Sequence, residues 1–138
     1  MKALTRRILL IGATVAALAG SMPASAHHSF AMFDHTKEVE LKDATVVEWQ
    51  WTSPHTWLFL LVPNGTQNPD KYSIEGGNPG QLRRFGYGKG TFAPGDKVTV
   101  YISPLLSGDK GGALLRVKLQ DGTELGVTAN EPGPADSK

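Results

Sequence analysis

Between Val39 and Trp51 a largely apolar set returns at every second position: Val39, Leu41, Thr45, Val47, Trp49 and Trp51, with Asp43 the one interruption. Glu40, Lys42, Glu48 and Gln50 fall on the opposite parity. Successive side chains of an extended chain point to opposite faces, so this period predicts a strand with one buried side. Typical strands run about 5–6 residues. One this long must bend to stay within a small domain, and the break in the pattern at Asp43 marks the middle.

The remaining elements are short and mostly β. Thr52-Ser53-Pro54 turns the chain, and the nearly continuous apolar run from His55 to Val62 predicts a central strand ended by Pro63-Asn64-Gly65. A further strand is expected over 71–75, before Gly76-Gly77. Asn78 followed by Pro79, with Gly86 downstream, carries the start and stop signals of one short helix. Val98, Val100 and Ile102 share a face of the next strand. Leu115, Val117 and Leu119 then alternate with Arg116 and Lys118 in another strand, and Asp121-Gly122 reads as a hairpin turn into 123–127. The fold class expected is all-β with one short helix. A long bent strand, two strands, a helix and two strands is the order of a small OB-like five-stranded β-barrel. An immunoglobulin-like sandwich needs more strands and has no use for the helix.

The front of the chain is of another kind. Lys2, Arg6 and Arg7 precede the apolar stretch 8–20, too short to span a bilayer comfortably, and Pro23 and Ala24-Ser25-Ala26 follow. These are the parts of an export signal cleaved after Ala26. The expected organisation is a signal at 1–26, an N-terminal arm at 27–37, the barrel at 38–127 and a disordered tail at 128–138, with the protein in the periplasm or secreted. No later stretch is long and apolar enough to span a membrane. Removing the signal leaves 112 of 138 residues and takes away three of the 14 basic residues and none of the 13 acidic ones, so 11 positive charges face 13 negative. A weakly acidic domain has little electrostatic reason to bind nucleic acid. The chain has no cysteine. The fold must therefore hold by burial without disulfides, and any metal must be bound through nitrogen and oxygen.

Cleavage after Ala26 would leave His27 at the N-terminus, offering a metal its α-amine and its ring nitrogen together. One more imidazole completes a three-nitrogen site suited to Cu(II). His28 provides an alternative geometry through the amine and the intervening amide nitrogen. Of the four histidines, His27, His28 and His35 sit at the front and His55 opens the apolar strand, at what the barrel reading makes a strand mouth. His27, His28, His55 and His35 are the candidate metal ligands. Asp34 is an additional candidate, as is Glu75, which otherwise reads as a strand-end charge. The second constellation is aromatic. Most of it reads as core filling, but Trp51, beside the Ser53-Pro54-His55 turn, and Trp57 are candidates for a ligand-stacking face. Arg83 and Arg84 read as a solvated helix face. The chain carries no Gly-rich phosphate loop, nucleophile elbow or zinc-protease motif.

His27-His28-Ser29-Phe30 after a signal, Val47-Glu48-Trp49, Ser53-Pro54-His55-Thr56-Trp57, Leu82-Arg83-Arg84-Phe85-Gly86, Pro94-Gly95-Asp96-Lys97-Val98-Thr99-Val100 and Leu119-Gln120-Asp121-Gly122 occur in this order. Together they resemble an uncharacterised family of small exported bacterial proteins, a domain of unknown function. The resemblance covers nearly all of the chain after the signal. It implies recurrent His27-His28 and His55 positions and names no reaction. That family usually has Asn-Pro-His where this chain has Ser53-Pro54-His55, and Gly-Trp where it has Gly86-Tyr87. The function expected is an exported, non-enzymatic binding module for a divalent metal, copper, with another periplasmic protein as a further partner. The alternative is a metal-free interaction or small-ligand module that uses an aromatic face. An oxidative copper enzyme ranks third, for want of an identifiable substrate surface.

Overall fold

The computed structural model describes residues 30–126. The signal read over 1–26, His27 and His28, and the tail read over 128–138 lie outside the described residues. Strands β1 (Val39–Gln50), β2 (Trp57–Val62) and β3 (Asp70–Glu75) are followed by helix α1 (Pro79–Arg83) and by β4 (Lys97–Pro104), β5 (Gly111–Leu119) and β6 (Glu124–Gly126). β1 lies between β2 and β4, with β3 beyond β2 and β5 beyond β4, all antiparallel. β3 and β5 then meet in parallel. That contact closes five strands into the OB-like barrel expected from the element order, while β6 is a short flap hydrogen-bonded to Arg116–Lys118 of β5.

The long strand bends in a way its pattern conceals. Leu41 pairs with Val100 and Ala44 with Val98, so β1 carries one extra residue there. Asp43 within this bulge has a positive φ of 52°. A second extra residue, Val47, lies between the pairs Val46–Leu60 and Glu48–Phe59. Each bulge shifts the inward parity by one. The core therefore takes Leu41, then Ala44 and Val46, and then Trp49 at the far end. Val47, expected inside, is 46% exposed, and Thr45 is only half-buried. β5 repeats the device: Tyr101 pairs with Arg116 but Ile102 with Leu114, which buries Leu114 and leaves Leu115 half-buried.

Around this frame Leu58, Leu60, Ile74, Leu82, Val98, Val100, Ile102 and Val117 fill the barrel at 5% exposure or less. Each contributes roughly 1.5–3 kcal/mol by leaving water, which is how a fold without disulfides holds. Helix α1 has the ends its sequence announces. The Asn78 side chain accepts from Gln81 N, Pro79 occupies the first turn, and Gly86 ends it at φ 87°. Leu82 is the residue it buries.

Of the segment read as the arm, residues 30–37 are described. The described part begins with a 3₁₀ turn, Phe30–Met32, where an extended run was expected. Phe33 is buried and bridges to Leu105, with Asp34 N donating to Pro104 O and Leu106 N to Met32 O. On the outer surface Arg116 holds Glu38 with two hydrogen bonds (2.7 and 2.8 Å) and lies 3.8 Å over the Tyr101 ring. Tyr101 in turn donates to Glu40. These links are solvent-exposed and contribute little to stability.

Closure depends on two glycines. β5 begins at Gly111, three residues earlier than the Leu114 start the alternation predicts. A Cβ on Gly111 would stand 2.7 Å from the Ser73 carbonyl oxygen, and one on Gly112 2.3 Å from that of Ser103. Only bare backbone allows β3, β5 and β4 to approach this closely. Gly112→Ala is expected to cost about 2 kcal/mol or more, as an overpacked site whose opposing atoms are backbone. Gly90→Ala, with nothing near its Cβ position, should change stability by less than about 0.5 kcal/mol. Urea unfolding of both variants checks this.

Candidate functional site

Thr56 connects the turn after β1 to the turn after β3. It is fully buried; its amide and its hydroxyl both donate to Gly77 O, and its carbonyl accepts from Gly76 N. These bonds carry the β2–β3 ladder past its last regular pair, Trp57–Glu75. Residues directly opposite in an antiparallel pair share a face, and alternate residues of a strand share one too. With Thr56 and Leu58 pointing in, His55, Trp57 and Glu75 all lie on the outer side.

His55 Nδ1 donates to Glu75 Oε1 there. An ionised carboxylate only accepts, so in the neutral ring the hydrogen belongs on Nδ1 and the lone pair on Nε2. The side chains are unequally covered: Glu75 is 10% exposed and His55 37%. The carboxylate is thus an inner support and the imidazole the outward group. A carboxylate behind the far nitrogen is the usual companion of a metal-binding histidine, since it fixes both ring orientation and tautomer. Sequence reading placed Glu75 at a strand end but did not pair it with His55. The signal available was the double glycine after Glu75, which allows the backbone to pass Thr56.

The other candidate residues are distributed differently. β2 and β4 run in the same direction on either side of β1. His55 precedes the start of β2, whereas His35 follows the contact of Asp34 with the end of β4. The two histidines therefore lie at opposite strand ends, and the His35 ring meets Phe33 edge-on at 6.3 Å. Asp34 is occupied locally: its carboxylate accepts from the Thr36 hydroxyl and amide and pairs with Lys37. The Thr36 hydroxyl first, and Lys37 next, hold its pKa down at about 2. Among the described residues no three His, Asp or Glu side chains gather into a metal-binding group.

The aromatic residues divide across the sheet. Trp49 is a core residue: its Nε1 donates to Gly88 O at 2.8 Å, its ring stands edge-on to Phe92, and buried Tyr87 lies nearby. Burial pushes the Tyr87 hydroxyl pKa far up, and that hydroxyl donates to Leu125 O. Trp51 packs on the same side, 5.5 Å from Trp49, with the Arg83 guanidinium 5.9 Å from its ring. Trp57 points the other way. Trp51 and Trp57 therefore do not form one face; the outward neighbour of Trp57 is Phe59, with ring centroids 6.4 Å apart and planes 20° from parallel. A concavity of about 500 Å³ among Asp43, Lys97, Thr99, Lys118 and Gln120 contains none of these groups.

A family of unknown function, DUF6152, matches residues 15–116, and the chain belongs to it. No curated protein and no solved structure matches the chain.

The His55–Glu75 contact should depend on the bare backbone of Gly76. A Cβ there would stand 2.2 Å from the buried Thr56 hydroxyl. Gly76→Ala is expected to destabilise by about 1–3 kcal/mol. Adding Thr56→Ala removes the obstructing oxygen, so the double variant should lose less than the two single losses combined. A denaturation double-mutant cycle showing simple additivity would contradict this.

Proposed function

We propose that this member of the DUF6152 family is an exported module that binds one divalent metal, Cu(II), through His55 and the amine and ring of an N-terminal His27. The observation that carries the reading is the hydrogen bond between His55 Nδ1 and Glu75, which in the neutral ring leaves Nε2 as the nitrogen for a metal. His28 is the further ligand in this scheme, since His35 lies at the opposite strand end from His55. Nitrogen donors and no cysteine favour Cu(II) over Cu(I). An α-amine with an ordinary pKa near 7.7–8.0 gives up its proton to a metal readily. The barrel's contribution is a histidine fixed in tautomer and direction before the metal arrives.

The test uses chain recovered after export, with its first residue established by intact mass. Cu(II) titration should show one tight equivalent. His55→Ala and His27→Ala should each remove stoichiometric binding. Glu75→Gln should weaken it by roughly 10-fold or more, the usual effect of losing a carboxylate behind a metal-bound histidine. One tight equivalent retained in the His27→Ala/His55→Ala double variant would overturn the reading.

A further inference from the structure

We infer that the outer face of β1, β2 and β3 binds a neutral sugar chain by stacking it on Trp57 and Phe59. A barrel strand with a filled core side ordinarily presents polar residues outward. The core side of β2 is supplied by Leu58, Leu60 and Val62, yet its outward positions are Trp57, Phe59 and Leu61. The bulge in β1 adds exposed Val47 beside them. The two half-buried rings are 20° from parallel with centroids 6.4 Å apart, so they form one continuous aromatic track along the strand.

The borders of the track select its occupant. Gln50 lies opposite Trp57 and Glu48 opposite Phe59, and these two side chains hydrogen-bond each other at 2.9 Å. On the other border Glu75 lies opposite Trp57 and Ser73 opposite Phe59. The hydrocarbon face of a sugar ring packs on an aromatic ring, and its hydroxyls need donors and acceptors at the edges. The Gln50 amide, the Ser73 hydroxyl and the Glu48 carboxylate provide both, Glu75 being mostly buried against His55. The carboxylates also oppose phosphate or any other anionic chain, and a purely apolar partner would strand the polar borders without hydrogen bonds. A neutral polyol leaves neither penalty.

The inference is independent of the metal reading, so its test is done in EDTA. Calorimetric titration of the full exported chain with β-1,4-linked hexamers of glucose and of N-acetylglucosamine is accompanied by sedimentation. The expected result is saturable binding of at least one hexamer, weakened about 10-fold or more by Trp57→Ala and by Phe59→Ala. Lys118→Ala, on β5, should leave it unchanged. Both aromatic substitutions are on the outer face, and near-UV circular dichroism establishes that the variants are folded. Binding of neither hexamer, or binding unaffected by the two aromatic substitutions, overturns the inference. So does a dimer that Trp57→Ala dissociates, which would make the track a contact between two copies. Copper binding is read separately, so failure of one proposal leaves the other standing.

Discussion

The short parallel contact between β3 and β5 is what the rest of the molecule depends on. Three residue pairs, Ser73–Gly111, Ile74–Gly112 and Glu75–Ala113, turn an open sheet into a barrel. A closed sheet has fewer unpaired edges and one continuous interior, which a small domain without disulfides needs in order to bury enough apolar surface. Closure requires strands to bend, and the bulges in β1 and β5 provide the bending. It also requires three backbones to converge with no side chain between them, and Gly111 and Gly112 meet that demand. The stability of the fold and the placement of Glu75, at the end of the closing strand, thus share one cause.

From that closure the candidate site follows by short steps. Glu75 ends β3, Gly76 and Gly77 give the backbone room to pass Thr56, and Thr56 anchors the residue before it. The result is an imidazole backed by a mostly buried carboxylate, on the side of the sheet away from the core. The same alternation puts Trp57 and Phe59 next along that surface. Both proposals, a metal at His55 and a ligand on Trp57 and Phe59, therefore concern one outer face, while the interior serves stability.

Much of the fold was legible because local chemistry and the global answer agree. Val98, Val100 and Ile102 alternate and are all buried. Asn78, Pro79 and Gly86 mark helix ends where they occur. The order of elements sufficed to name the barrel. Parity in β1 was misread because a strict period of two assumes an unbroken ladder, and each bulge adds a residue without adding a partner. The alternation of Leu115, Val117 and Leu119 did not extend the strand back to Gly111-Gly112, since glycine adds nothing to an apolar pattern and propensity carries no information about close approach. Glu75 was visible as a charge but not as the partner of His55, because their contact crosses two strands. Trp51 and Trp57 looked like neighbours around a turn, although the turn sends them to opposite sides of the sheet.

The central claim is that Glu75 fixes the tautomer of His55 and leaves Nε2 as the presented nitrogen. Long-range ¹H–¹⁵N correlation of the neutral imidazole in the metal-free protein measures this directly, because protonated and lone-pair ring nitrogens resonate far apart. The account predicts that hydrogen is on Nδ1 and that Nε2 is the lone-pair nitrogen, a preference lost in Glu75→Gln. A hydrogen on Nε2, or a ring averaging freely between the two forms in the wild-type chain, would contradict it.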